Sequence, residues 1–90
     1  MCRNIRVLYN FDPPATREEI EAAALQYVRK VAGITRPSAV NEAAFAEAVR
    51  AVTEATATLL DALTTRAPSR DRATEAARAK ARAARRYAPT

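Results

Sequence analysis

Histidine and tryptophan are absent from this 90-residue sequence, and glycine and cysteine each occur only once. The absence of histidine removes the commonest metal ligand and the commonest general base. A single cysteine excludes an intrachain disulfide and gives no zinc-finger spacing, while a single glycine leaves little room for a phosphate-binding loop. The serine and threonine residues form no nucleophile–base pattern. We therefore expect a protein that is not an enzyme and that has no cofactor.

Long apolar runs are also lacking. No stretch approaches the roughly 18 residues of a membrane span. The first 30 residues carry acidic residues and prolines, which is not the pattern of a signal peptide. These observations favour a soluble cytoplasmic protein that does not enter a membrane.

Large apolar side chains are few. Hydrophobic residues make up 49% of the chain, but 23 of them are alanine, whose side chain buries little area. A chain of this length with so small a core is marginally stable as a monomer. We therefore expect a homodimer or a complex with another protein.

What is present favours helix, since alanine, arginine and glutamate are strong helix formers. Thr16 followed by Glu19 forms a capping box, and Gly33 suits the C-terminal cap of a helix. These signals predict a first helix over residues 17–32.

A second helix is predicted over residues 40–63, after an interruption at Pro37 and with Ser38 or Asn41 as its N-terminal cap. Large apolar residues recur along it at steps of four and three, which is typical of a helix–helix contact. We therefore predict an all-α fold built on an antiparallel hairpin of these two helices. The predicted core consists of residues from the hairpin and from the segment before it: Ile5, Tyr9, Phe11, Ile20, Tyr27, Val28, Val31, Phe45, Val49, Val52, Leu59 and Leu63.

The positive charge is concentrated at the C-terminal end. Residues 1–65 carry seven basic and eight acidic side chains, whereas residues 66–90 carry eight basic and two acidic ones. A third helix is predicted over residues 70–87, capped by Ser69 or Asp71, with alanine on one face and arginine on the other. We interpret residues 1–65 as an arm plus hairpin core, and residues 66–90 as a basic helix of the same domain.

The opening segment, MCRNIRVLYNF, alternates apolar residues at Ile5, Val7, Tyr9 and Phe11, which is the pattern of a strand. No second strand pattern occurs in the chain. Two arrangements remain open: an extended arm packed over the hairpin through Ile5, Tyr9 and Phe11, or pairing with the same arm of a second copy.

Several segments together resemble one protein family. They are residues 2–5, Asp12-Pro13-Pro14-Ala15-Thr16, residues 26–31, Arg36-Pro37-Ser38, residues 41–45 and the terminal Ala-Arg-Ala-Ala-Arg-Arg. The chain resembles, over its whole length, the small proteins grouped as domain of unknown function 2277, although Ala39-Val40 stand where a more polar pair is expected. The resemblance implies that Cys2-Arg3-Asn4-Ile5 is a family feature, and it implies no activity and no catalytic residue.

The predicted contact residues are arginines of the third helix: Arg78, Arg82, Arg85 and Arg86. Their spacing places them on one helical face, where like charges repel, so an anionic partner is expected. We predict docking on an acidic protein surface. The alternative is sequence-nonspecific nucleic-acid binding, since guanidinium groups also pair with backbone phosphates.

Cys2 is the second candidate. Removal of the first methionine would expose an amine and a thiol that together chelate a soft metal or act as a nucleophile. The simpler interpretation is a small apolar residue packed at the start of the arm. The sequence gives no sign of a small-molecule substrate.

Overall fold

The computed structural model describes residues 2–87, so residues 88–90 of the predicted C-terminal part lie outside the described residues. In chain order, the secondary-structure elements are β1 (Phe11–Asp12), α1 (Arg17–Ala32), a 3-10 turn (Ala39–Asn41), α2 (Glu42–Ala62), β2 (Arg70–Asp71) and α3 (Arg72–Tyr87). Within the described residues the fold is almost entirely helical, which confirms the predicted class.

Both predicted caps of α1 are present. The Thr16 hydroxyl accepts from the backbone N–H of Glu19 at 3.2 Å, and the Glu19 carboxylate accepts from the backbone N–H of Thr16 at 2.9 Å. At the other end Gly33 is left-handed, with φ of 70°, a conformation that other residues adopt at a cost. Its N–H donates to the carbonyl of Arg29 at 2.9 Å. These two caps explain why α1 has the predicted bounds.

α2 begins two residues later than predicted and ends one residue earlier. The chain enters it through the 3-10 turn, in which Asn41 donates its backbone N–H to the carbonyl of Ser38 at 2.9 Å. Asn41 occupies the N-cap position of α2, as one of the two predicted alternatives, but neither Asn41 nor Ser38 makes a side-chain capping bond. The Asn41 amide instead contacts the Ser38 hydroxyl at 3.4 Å, and a backbone turn takes the place of a side-chain cap.

α1 packs along α2, and this contact holds the centre of the molecule. The buried apolar residues of the described chain are Leu8, Ile20, Ala24 and Val28. On α2, Thr53 is 1% exposed, and its hydroxyl donates to the carbonyl of Val49 at 2.7 Å, so the buried polar group is satisfied. An ion pair joins Arg17 at the start of α1 to Glu54 in the second half of α2.

Much of the predicted core is only partly covered. Of the predicted residues, Ile20 and Val28 are buried, and those that are half-buried are Tyr9, Phe11, Phe45, Val49 and Val52. The core prediction was wrong for five residues, which are exposed by the following fractions of their surface: Ile5 (41%), Tyr27 (49%), Val31 (70%), Leu59 (55%) and Leu63 (43%). The molecule measures 46 × 39 × 15 Å. The molecule is therefore flat, and much of the surface of its helices is uncovered.

The N-terminal arm has a strand partner in the same chain, contrary to the sequence prediction. Phe11 lies opposite Arg70 and Asp12 opposite Asp71 in a parallel pair. Two residues of strand preceding a helix leave no alternating pattern in the sequence. The arm also lies against the helices through Leu8, a residue that the strand pattern did not select.

Gln26 of α1 fixes the beginning of the arm. Its carboxamide oxygen accepts from the backbone N–H groups of Asn4 at 2.7 Å and Ile5 at 3.0 Å. The arm is therefore held at two points, by Gln26 near its start and by β2 at its end.

Ala24, which is 2% exposed, lies on the buried side of α1. We predict that Ala24→Leu lowers the free energy of unfolding by about 1–3 kcal/mol, because extra methyl groups force the neighbouring helix away. Urea denaturation followed by circular dichroism measures the change. Ala32→Leu, at an exposed position of the same helix, is the control, and an equal loss in both variants would contradict the close contact.

Candidate binding surfaces at the base of the third helix

Arg72, the first residue of α3, ties that helix to the rest of the molecule. Its guanidinium donates to both carboxylate oxygens of Glu19, at 3.0 and 2.9 Å. It also donates to the carbonyl oxygens of Pro13 and Pro14, each at 3.0 Å, and it lies 5.5 Å from the centroid of the Phe11 ring. One side chain thus joins α3 to α1, to the proline segment and to β1.

Glu19 is the anionic centre of this contact. Besides Arg72 and the backbone N–H of Thr16, its carboxylate accepts from Arg6 at 3.1 Å. The hydrogen bonds from Arg72, then that from the Thr16 backbone, and then that from Arg6 lower the pKa of Glu19 from 4.5 to about 2. Its side chain is 19% exposed, so the charged network is partly shielded from water.

The segment before α3 is fixed by backbone contacts and by a cap. The backbone N–H of Arg70 donates to the carbonyl of Asn10 at 2.6 Å, and the Asn10 amide donates to the carbonyl of Pro68 at 3.0 Å. Asp71 accepts from the backbone N–H and the hydroxyl of Thr74, each at 2.8 Å. These bonds lower the pKa of Asp71. Of the two caps predicted for α3, Asp71 forms and the helix begins at Arg72.

Beyond its first turn α3 extends into solvent. The four arginines predicted as contact residues are all exposed: Arg78, Arg82, Arg85 and Arg86. Arg78 lies 3.6 Å from Glu75, one turn earlier. The alanines on the rest of the helix are exposed as well, from Ala76 onward. Both faces that the sequence predicted are therefore present and uncovered.

A groove of about 620 Å³ runs between the arm and the first turns of α3. Its lining combines cationic and apolar side chains, and comprises Arg6, Val7, Phe11, Arg70, Arg72, Glu75, Ala76, Ala79 and Arg82. Of the predicted contact arginines, only Arg82 takes part in it.

A second, shallower groove of about 390 Å³ lies where the arm meets both long helices. Its lining is mainly apolar and includes Ile5, Val7, Tyr27, Val52 and Leu60. It contains some of the apolar residues that the sequence assigned to the core. This surface is therefore one part of the predicted core that the single chain leaves open.

Cys2 is exposed, so the interpretation of a packed apolar residue was wrong. The arm is held from Asn4 onward by Gln26, and that contact does not cover the second residue. Among residues 2–87, no group of three or more cysteine, aspartate and glutamate side chains is placed to hold a metal ion.

Arg6, Gln26, Arg70 and Arg72 are the site residues that sequence reasoning missed. Glu19 was found through its capping box, which is a local signal. Its partners Arg6 and Arg72 lie 13 and 53 residues away in the chain, and no local pattern carries such a pairing. The sequence signal that was available is the charge change near residue 66, which marks where the basic residues begin but not which of them turns inward.

Comparison with known proteins gives one match. Residues 1–78 match the model of a family described as uncharacterized conserved protein, DUF2277. The match stops at Arg78, so the later arginines of α3 lie outside it. No curated protein and no solved structure matches significantly. None of the helices within residues 2–87 combines the length and the apolar character needed to cross a membrane.

Neutralising Glu19 tests the importance of this network. We predict that Glu19→Gln lowers the free energy of unfolding by about 1–2 kcal/mol at pH 7, a figure reduced from the full pKa shift because Arg6 and Arg72 are partly exposed. Glutamine also serves in a capping box, so the variant isolates the charge. Because the folded pKa is lowered, the wild-type advantage is present above pH 4.5 and is lost as the pH falls from 4.5 towards 2.

Denaturation curves at pH 7, 5, 4 and 3 measure this dependence, with Glu18→Gln as the control at a neighbouring exposed position. A difference between wild type and Glu19→Gln that stays constant over this range would contradict the assignment.

Proposed function

Because the chain belongs to the DUF2277 family, for which no activity is assigned, we propose a function from its own surface: it is a small non-enzymatic binding protein that docks α3 on an acidic protein partner. The single observation that supports this proposal is the exposure of residues 76–86 of α3, while its first turn is tightly held. The proposal agrees with the expectation drawn from the sequence. The contacts that hold the first turn of α3 add to its support.

The anchoring favours binding through α3. Isolated helices of about 16 residues are marginal in water, but here Asp71 caps the first turn and Arg72 fixes it to Glu19, Pro13 and Pro14. A helix whose start is already ordered loses less conformational entropy on binding. The partner then gains contact with a helix whose direction is already set.

The two faces of α3 favour a protein over a nucleic acid. The arginine face would pair with carboxylates or with phosphates equally well. The opposite face carries small side chains such as Ala77 and Ala81, both exposed. A helix or sheet of a protein partner can cover that face at close distance, whereas a phosphate backbone would leave it in water. Binding of nucleic acid through the arginine face alone is the competing outcome.

Self-association is part of the same proposal. The exposed apolar residues of the helical body include Tyr27, Val31 and Leu59, and a second copy is the occupant that carries a matching apolar surface. Association would supply the covering layer that a molecule 15 Å thick lacks. We predict a dimer in sedimentation equilibrium, shifted towards monomer by Val31→Lys. A strictly monomeric wild type at high micromolar concentration would contradict self-association and would leave docking through α3 to be judged separately.

The docking proposal is tested with defined probes. We predict that a labelled acidic amphipathic peptide binds the protein in fluorescence anisotropy, and that Arg82→Glu with Arg85→Glu weakens it at least about tenfold, through loss of attraction and added repulsion. Arg36→Glu with Arg66→Glu is the control, because it makes the same charge change at exposed positions outside α3.

The alanine face separates protein from nucleic acid. Ala77→Gln with Ala81→Gln keeps the helix and its charge but adds bulk, so it weakens the acidic peptide and leaves duplex DNA or RNA unaffected. Tighter binding of duplex than of peptide, with a steep loss between about 50 and 200 mM salt, would favour nucleic acid. Equal weakening by the control pair would contradict docking through α3.

A further inference from the structure

The groove between the arm and α3 concentrates guanidinium groups from two distant parts of the chain. Arg6 comes from the arm, whereas Arg70, Arg72 and Arg82 come from β2 and from α3, which follows β2 directly. These parts converge here because β1 pairs with β2 and because Arg72 is bound to Glu19 and to the proline carbonyls. Such convergence of like charges costs free energy unless an anion offsets it.

The acidic groups nearby only partly offset this charge. Glu19 is engaged by both Arg6 and Arg72. Glu75 is shared between Arg70 at 3.7 Å and Arg78 at 3.6 Å, distances too long for strong hydrogen bonds. Within the described part of the chain Arg82 has no carboxylate partner. Four guanidinium groups of the groove thus face two carboxylates, one of which is shared with Arg78, so the excess of positive charge is at least two.

Part of the groove lining is apolar. Val7 and Phe11 line it on the arm side, and Ala76 and Ala79 line it on the helix side. Val7 is 56% exposed, and the Phe11 ring already has the Arg72 guanidinium against it. The volume of about 620 Å³ lies within the range typical of small-molecule sites, about 300–1,000 Å³. The groove therefore combines guanidinium groups with an apolar surface that is large enough for an aromatic ring.

We propose that this groove binds a small organic phosphate, with its phosphoryl group between Arg70 and Arg82 and its flat apolar part against Val7 and Phe11. A phosphoryl group carries up to two negative charges near neutral pH, which matches the excess of two, whereas one carboxylate would leave a positive charge uncompensated. Guanidinium forks also match the oxygens of phosphate in geometry. This ligand site is independent of the docking proposal, although Arg82 is common to both.

The geometry gives such a ligand a consequence for α3. A phosphoryl group between Arg70 and Arg82 would connect β2 to the third turn of α3, beyond the last point at which that helix is held. The exposed part of α3 would then begin one to two turns later. Ligand binding would therefore order the helix further and engage Arg82, while Arg85 and Arg86 stay outside the groove.

Isothermal titration calorimetry of the full chain tests the proposal with three probes: phenyl phosphate, inorganic phosphate and benzoate. We expect saturable one-to-one binding of phenyl phosphate, at least about tenfold tighter than that of inorganic phosphate or benzoate. The difference between phenyl phosphate and inorganic phosphate measures the contribution of the apolar lining. The difference between phenyl phosphate and benzoate measures the contribution of the second negative charge. A short single-stranded RNA is the fourth probe, and it distinguishes a free organic phosphate from a nucleic-acid backbone.

Two variants locate the site without altering the docking face. Arg70→Ala removes a side chain whose residue is held through its backbone, and should weaken phenyl phosphate at least about tenfold. Phe11→Leu should reduce its preference over inorganic phosphate. Arg36→Ala, at an exposed position on the connector after α1, is the matched control and should leave binding unchanged, as should Arg85→Glu.

Several outcomes would overturn the proposal. They are the absence of saturable binding, equal affinity for benzoate, equal weakening by Arg36→Ala, or single-stranded RNA that binds more tightly than phenyl phosphate. The two proposals are tested separately by two variants. Arg70→Ala should keep peptide docking. Arg85→Glu should lose peptide docking and keep phosphate binding. Circular dichroism of each variant confirms that the helices are intact.

Discussion

The bidentate pair between Arg72 and Glu19 is the interaction on which the rest of this structure depends. Glu19 already belongs to the capping box that starts α1, and Arg72 is the residue with which α3 begins. One ion pair therefore joins the first turns of two helices that are otherwise separate. The proline carbonyls around Arg72 and the Phe11 ring complete its surroundings. Without this pair, α3 would be attached to the molecule mainly through the short β1–β2 contact.

The remaining architecture reflects how little apolar area the chain possesses. Ala24 and Thr53 are the most buried residues of α1 and α2, and small side chains at such positions let two helices approach closely. Close approach buries less area per residue than large side chains do. The structure offsets this with polar ties such as Gln26 to the arm and Arg72 to Glu19. A flat molecule with apolar residues at its surface is the result.

Local sequence signals predicted the helices well, whereas contacts between residues far apart in the chain could not be predicted from the sequence. The capping box and Gly33 predicted both ends of α1, because a cap involves residues within four positions of each other. The stripe of Tyr27, Val31 and Leu59 was predicted as core because periodicity shows which face is apolar, not whether anything covers it. Leu8 was missed because the arm is not an extended strand over residues 5–9. For the candidate sites, the basic helix was evident from composition, whereas the groove depends on a strand pair that spans most of the chain.

The double role of Glu19 has a consequence for the order in which the chain folds. Its capping partner is three residues away and its ion-pair partner is 53 residues away. The local bond can form as soon as α1 forms, whereas the distant one requires closing a long loop, at an entropic cost that grows with the logarithm of loop length. Formation of the capping box thus positions the Glu19 carboxylate for its later pairing with Arg72. Assembly of the base of α3 is in this sense templated by the start of α1, and a chain cut before Arg72 would still contain a complete first helix.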